Sequence, residues 1–272
     1  MIMMSDTPEP SPEEFAHRLR KIEHERAVPC LGYKDRCVRR RIGVRMRANA
    51  VHTFAEYEQL LDSNPGEWEK LLAALTINVT RFFRDTNAFT ALESSAYPLL
   101  RDTFPGLLEV WSAGCSHGQE PYSLAMGLAD TVGLSRFRVE ATDVDVESLA
   151  AARAGRYAAT ILEDVSAARR TRWVSAGDPG VIHAELRARV HVLRHDLLRD
   201  EVAPKRFHLI ACRNVIIYFS RESQAILFDQ LFDALVPGGI LMLGKVETLI
   251  GPARDKFEPV NLRERLFRRP LA

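Results

Sequence analysis

Residues Glu109 to Leu124 read EVWSAGCSHGQEPYSL: an apolar run, a turn framed by Gly114 and Gly118, then a helix opened by Gln119-Glu120-Pro121. Small residues at Ala113, Gly114, Ser116 and Gly118 let backbone approach a ligand closely, and the helix start offers unpaired N–H groups. The dinucleotide form of this strand, turn and helix, G-x-G-x-x-G, seats a pyrophosphate on the helix end. Here Glu120 occupies the first helical turn, where a carboxylate repels a phosphate. The stretch therefore predicts a nucleoside-like ligand that is neutral or cationic.

Outward from this turn the chain alternates. Candidate strands at 108–113, 137–142, 190–193, 207–212 and 239–244 fall between candidate helices at 86–100, 119–131, 146–153 and 222–235. Such alternation predicts an α/β, Rossmann-like domain with a doubly wound parallel sheet. Residues 257–260 and 264–268 read as a closing antiparallel ribbon, with Phe257, Leu266 and Phe267 supplying apolar contacts. The stretch Arg156–Arg189 is too long for a plain crossover and carries a turn signal at Gly177-Asp178-Pro179-Gly180. It predicts a small inserted subdomain, partly helical and partly hairpin.

Upstream, the pattern from Glu13 to about Leu75 is helical: Phe15, Leu19 and Ile22, then Val38, Ile42 and Met46, recur at three- and four-residue steps. Phe54, Tyr57, Leu60 and Leu61 form a stripe that stops at Asn64-Pro65-Gly66, and Trp68, Leu71, Leu72 and Leu75 begin another. Residues 1–12 are polar and proline-rich and are expected to be disordered. The layout is thus a tail 1–12, a small all-helical domain 13–75, a linker 76–88 and an α/β domain 89–272 with an insert at about 156–189.

Composition removes several classes. Lys+Arg 37 against Asp+Glu 36 gives a net charge of +1 in 272 residues, so no global basic field points to nucleic acid. No apolar run approaches the roughly 20 residues that span a bilayer, and the acidic start MIMMSDTPEPSPEEF is unlike a secretory leader. Four cysteines (Cys30, Cys37, Cys115, Cys212) without a C-x-x-C indicate neither a disulfide framework nor a zinc site. A cytoplasmic protein with reduced thiols and no membrane insertion is expected.

The chemistry-bearing residues gather at strand ends. Asp143 closes the run FRVEATD and is placed to accept from both ribose hydroxyls, while Asp145 suits the helix cap better. Glu120 serves either the ligand or the helix dipole. In T76-I-N-V-T-R-F-F-R-D85, a cap at Asn78 or Thr80 leaves Arg84 unexplained; its fork suits a carboxylate substrate. Asp196-Leu197 lies past the strand 190–193, as an adenine contact or a turn aspartate. Arg213, Asn214 and Tyr218 follow the strand 207–212 over the carboxyl edge, although Tyr218 also fits a rim position in the core. In the basic segment Lys34–Arg47, Arg36, Arg40, Gly43 and Arg47 share one helical face, either solvated or a partner site. For the ligand, S-adenosylmethionine is nucleoside-like and cationic and fits the loop.

Four runs, INVTRFFRD, VWSAGCSHGQEPYSLAM, ATDVDVESLAAARAGRY and FHLIACRNVIIYF, occur in that order. Together the chain, from about Glu13 to Phe267, resembles the chemotaxis receptor methyltransferases (CheR), protein-glutamate O-methyltransferases. The resemblance implies a helical N-terminal domain and a C-terminal domain that binds S-adenosylmethionine and carries a small β-subdomain. It implies that Asn78, Thr80 and Arg84 meet the cofactor, that Glu120 of the Gly114 loop takes its ammonium, and that Asp143 takes its ribose. Asp196-Leu197 stands where the family has asparagine-leucine, and Arg213 and Asn214 belong to its C-R-N run. Arg84 and Tyr218 are then the pair nearest the reacting methyl group, with S-adenosylhomocysteine as product.

The implied partners are the glutamate-rich cytoplasmic helices of chemoreceptors, met by the N-terminal domain, which gives the Arg36, Arg40 and Arg47 face an acidic partner. Members that grip a receptor's C-terminal pentapeptide carry a glycine-rich extension in the insert; the short turn Ala176–Gly180 points to a pentapeptide-independent enzyme. His117 and Gln119 replace the more usual threonine and glutamate of the loop, and G244-K-V-E-T replaces G-H-S-E. The rival readings are a nucleic-acid methyltransferase, which N-P-P-Y and P-C motifs would mark, and a non-catalytic chemosensory scaffold of the same fold. A nicotinamide dehydrogenase is the weakest alternative, since the loop lacks G-x-G-x-x-G and puts Glu120 near a phosphate's place.

Overall fold

The computed structural model describes residues 32–75 and 80–271, which belong to two compact units. The tail 1–12, the helical stretch with Phe15, Leu19 and Ile22, and Asn78 lie outside the described residues.

In the first unit, the four-residue spacing of Val38, Ile42 and Met46 puts them on one buried face of α1 (Asp35–Ala48). A capping box opens α2 (Phe54–Ser63): Thr53 Oγ1 accepts the Glu56 N–H at 3.2 Å and Glu56 Oε2 accepts the Thr53 N–H at 3.0 Å. Asn64 is extended and Pro65 starts α3 (Pro65–Leu75), as the breaker predicts. Tyr57, Leu61, Trp68, Leu71 and Leu75 close the core over the α1 face. Beneath it Glu67 is buried; Arg45 forks onto its carboxylate at 2.9 and 2.7 Å, and Tyr57 Oη donates at 2.8 Å. Tyr218–Ser223 also belongs to this unit.

The second unit holds a seven-stranded sheet in the order β5-β2-β1-β6-β7-β9-β8. Its strands are β1 (Leu108–Ala113), β2 (Phe137–Asp143), β5 (Val190–Arg194), β6 (Phe207–Cys212), β7 (Leu235–Leu243), β8 (Glu258–Asn261) and β9 (Leu266–Arg268). The first five in that order are parallel, and β9 and β8 add the antiparallel ribbon. Both faces of the inner strands are covered, so they read as near-continuous apolar runs. Chain order reverses between β1 and β6, and a doubly wound sheet binds its ligand at the carboxyl ends beside such a reversal.

Helices α6 (Gln119–Thr131), α7 (Val146–Ala154) and α10 (Arg221–Ala234) match the expected positions. Two elements differ. The helix expected over 86–100 is α4 (Thr86–Ala91) and α5 (Tyr97–Thr103) joined by a π turn at Leu92–Ala96. Pro98 lacks the N–H that would continue the ladder, so the turn before it widens. Strand β7 begins at Leu235, paired with Phe207, and a register shift follows before Leu209 meets Ile240. Gly238, at φ +84°, lets the chain make this irregularity.

The insert is a two-residue ladder of β3 (Arg156–Tyr157) and β4 (Gly180–Val181) with α8 (Ala167–Trp173) and α9 (Ala184–Arg187). Arg169 fastens it to the sheet domain through Glu93 at 2.7 Å and Asp130 at 2.9 Å. No helix among the described residues is long and apolar enough to cross a membrane.

Candidate active site

The turn after β1 is fixed by its neighbour β2. The Gly114 and Cys115 N–H groups both donate to the Thr142 carbonyl at 2.8 Å, and the Ser116 N–H donates to Asp143 Oδ2 at 2.9 Å. Gly114 has φ +84°, and a Cβ there would lie 2.4 Å from Val215 Cγ2. Only glycine satisfies both the left-handed backbone and that close approach.

Glu120 is buried in the first turn of α6. Its Oε1 accepts from Ser112 Oγ at 2.8 Å, and its Oε2 accepts from Arg213 Nη1 at 3.2 Å. Burial raises its pKa against the pull of Arg213 and Ser112, and the charge of Glu247 adds to the rise. Asp143 is likewise raised by burial and lowered by backbone amides. The sequence reading leaves its carboxylate free once Asp145 takes the cap. Asp145 does cap α7, accepting the Glu147 N–H at 3.0 Å, yet Asp143 is engaged too, with Oδ1 on the Asp145 N–H at 3.0 Å. A carboxylate has about four acceptor positions, so room remains for ribose hydroxyls.

Past β5, Asp196 behaves as a turn aspartate. Its Oδ1 accepts the Leu198 N–H at 2.9 Å while its own N–H donates to Asp200 Oδ2 at 2.8 Å. Both Asp196 and Leu197 are buried, at the same edge as Asp143, which pairs with Arg194.

The sequence reading sends Arg213 over the sheet edge; the structure buries its guanidinium beneath it. Nη2 donates to the Arg84 carbonyl at 2.8 Å and to Asp85 Oδ2 at 2.9 Å, Nη1 reaches Glu120, and the group lies 5.4 Å from the Phe89 ring centre. One arginine thus ties the end of β6, the start of α6 and the turn that carries Arg84. That turn is strained: Phe83 has φ +49° and Asp85 φ +60°, conformations that cost about 1–3 kcal/mol each. The Phe83 N–H is caught by Ser123 Oγ at 2.9 Å, and the Arg169 guanidinium sits 4.8 Å from the Phe83 ring centre. Thr80 and Arg84 are partly exposed at this turn.

Asn214 follows Arg213 in the second unit, at φ +60°, and the remaining predicted residues lie in the first. Arg36, Arg40 and Arg47 are exposed on α1, away from its buried Val38, Ile42 and Met46 face. Tyr218 is held by its backbone, whose carbonyl accepts the Lys34 N–H at 2.8 Å, and the Arg41 guanidinium sits 5.7 Å from its ring centre. Arg41, which also donates to the Ala74 carbonyl, is absent from the sequence reading because it lies off the Arg36–Arg47 face. Glu247, the acid of G244-K-V-E-T, has no role assigned from sequence; the alignment of β6 with β7 is what gives it partners.

The chemistry of the donor set is therefore acidic. Glu120, Asp143 and Asp196 converge at the carboxyl ends of β1, β2 and β5, and the arginine among them is already committed. Such a set disfavours a pyrophosphate at the α6 start and fits a nucleoside bearing positive charge. Fold and site together fit a methyltransferase of the kind that uses S-adenosylmethionine.

Comparison with known proteins narrows the class. The family model "CheR methyltransferase, SAM binding domain" matches residues 78–266, and "CheR methyltransferase, all-alpha domain" matches residues 13–76. The chain belongs to the CheR methyltransferase family. The chemotaxis protein methyltransferase of Listeria monocytogenes is 34% identical over 242 residues, covering 89% of this chain and 92% of the relative. That of Escherichia coli is 34% identical over 244 residues, covering 85% and 82%.

Proposed function

We propose that this protein transfers the methyl group of S-adenosylmethionine to glutamate side-chain carboxylates of chemoreceptor cytoplasmic helices, acting in the cytoplasm and without needing a receptor pentapeptide. The observation that carries this reading is the acidic set Glu120, Asp143 and Asp196 at the sheet's carboxyl edge, in a chain of the CheR family. Relatives named chemotaxis protein methyltransferase support the receptor as substrate. The two-residue β3–β4 ladder, which offers little strand to extend, supports pentapeptide independence.

When bound, the cofactor supplies an electrophilic sulfonium methyl group. The acceptor needs no general base, because a glutamate with an ordinary pKa of about 4.3 is ionised at neutral pH. The protein's part is alignment and exclusion of water. Asn78, Thr80 and, from the C-R-N turn, Asn214 would contact the cofactor; Glu120 would take its ammonium and Asp143 its ribose, with Asp196-Leu197 at the adenine. Arg84 orients the incoming carboxylate, and Tyr218 hydrogen-bonds near the transfer axis. Too tight an Arg84 pair would favour the ground state and slow transfer. Undiminished turnover in Arg84→Ala or Tyr218→Phe would remove this assignment.

The exposed Arg36, Arg40 and Arg47 face on α1 is the surface that meets the acidic receptor helix. A nucleic-acid substrate attacked by Cys212 is disfavoured: burial, with the Glu247 and Glu120 charges, pushes that thiol well above its usual pKa, so it is no thiolate. The deciding experiment is transfer of labelled methyl from the cofactor to receptor fragments of the same organism. A base-labile linkage marks a carboxyl ester, a base-stable one a methylated base or amine, and no transfer a scaffold.

A further inference from the structure

Strands β6 and β7 run parallel with Cys212 opposite Leu243, so the residues that follow them leave the sheet side by side. One is the Arg213–Val215 turn, in which Asn214 takes φ +60°; the other is Gly244. Their N–H groups converge on a single acceptor. Glu247 Oε2 takes the Asn214 N–H at 2.9 Å and the Gly244 N–H at 2.6 Å. Glu247 is only 3% exposed. Burial raises its pKa, while the amides of Asn214, Gly244, Ile217 and Ile216 favour the ionised form. The approach at Gly244 is tight: a Cβ there would lie 2.6 Å from Glu247 Oε2 and 2.9 Å from the Asn214 nitrogen.

A charge buried this deeply costs stability unless amides meet it, and here they belong to the turn beside the glycine loop. The same turn presses Val215 against Gly114, the first residue of that loop. We propose that Glu247 is a positioning residue: it hooks the Asn214 and Gly244 amides, holds Asn214 in its left-handed conformation, and so sets the Arg213–Val215 turn against the cofactor loop. The inference rests on the reading that Asn214 meets the cofactor. Glu247 itself touches neither cofactor nor substrate; it acts through the turn.

The test is calorimetric affinity for S-adenosylhomocysteine, with kcat and KM for S-adenosylmethionine, on folded full-length variants. Glu247→Ala removes the hook and is expected to weaken product affinity about tenfold, the equivalent of one buried hydrogen bond. KM rises with it while kcat changes less, a split that a general loss of stability does not produce. Glu247→Gln keeps an acceptor oxygen and recovers most of the loss. Gly244→Ala leaves the carboxyl in place but pushes a methyl into the hook, and it reproduces the loss even where Glu247→Ala does not fold. A folded Gly244→Ala protein with wild-type affinity and KM overturns the proposal. Asn214→Ala separates the two layers. If it alone weakens binding, the positioning role falls; if it too binds as wild type, the reading that this turn meets the cofactor falls with it.

Discussion

Arg213 Nη2 donates to the carbonyl of Arg84 at 2.8 Å, across 129 positions of sequence. The contact makes the placement of Arg84 depend on a buried side chain at the end of β6, whose Nη1 donates to Glu120. The proposed cofactor loop and the proposed catalytic turn therefore share one strut.

Replacing that strut tests the dependence. Arg213→Ala strands Glu120 and Asp85, and breaking a buried pair costs about 3–5 kcal/mol. Arg213→Lys keeps the charge but not the fork, so partial stability returns while kcat stays about a hundredfold down, the scale of an ångström-sized misplacement. Chemical denaturation and single-turnover methyl transfer read the two effects. A lysine variant with wild-type kcat would show that the fork does not place Arg84.

With Glu120 in its proposed ammonium role, cofactor affinity should depend on pH. Its folded pKa is raised by burial, so its contribution to stability is full below the unfolded value and is lost as pH rises through the folded one. Ionised Glu120 is thus the costly form of the free protein and the form that welcomes an ammonium. Affinity for S-adenosylhomocysteine should fall as pH drops through the raised pKa, by up to about tenfold per pH unit. Glu120→Gln should bind more weakly at neutral pH and lose this slope. Titration calorimetry from neutral into mild acid measures both; an unchanged slope in Glu120→Gln assigns the proton elsewhere.

In the first unit, Glu67 has the opposite sign. Burial raises its pKa, but the bonds from Arg45 and Tyr57 outweigh this and hold it below the usual carboxylate value. Its stabilisation is present above the unfolded pKa and is lost as pH falls through the folded one. Glu67→Ala leaves Arg45 and the Tyr57 hydroxyl without their acceptor, at a cost of about 3–5 kcal/mol. Urea denaturation of the full chain should show this loss at neutral pH and a smaller one in acid. Equal losses at both would contradict the ionised pair.

The exposed arginines of α1 give a separable phenotype. Arg40→Glu with Arg47→Glu should weaken methylation of a receptor fragment, more strongly at low salt, where exposed charges act over a Debye length of about 10 Å or more. Product affinity should be unchanged, since both residues lie on the solvent face of α1. Equal methylation rates at low salt would leave the face merely solvated.

What could be read in advance was local. The inner strands β1 and β6 were legible as apolar runs, because a strand covered on both faces is a continuous apolar run. The breaker at Asn64-Pro65 and the cap at Asp145 were legible for the same reason, being interactions across a few residues. The π turn before Pro98 was not, since a periodic pattern does not show where a missing N–H will be absorbed.

By itself the sequence determined the order of elements, the position of the glycine loop and the negative sign of the α6 start. The tertiary structure alone decided which charges were already spent. Asp143 holds the Ser116 amide, Arg213 is buried against Arg84 and Asp85, and Glu247 gathers the Asn214 and Gly244 amides. Tyr218 likewise joins the first unit rather than the sheet it follows in sequence. The reason is physical: local order is set by neighbours along the chain, whereas the partners of a buried charge are set by strand order and register, which bring distant residues to one edge of the sheet.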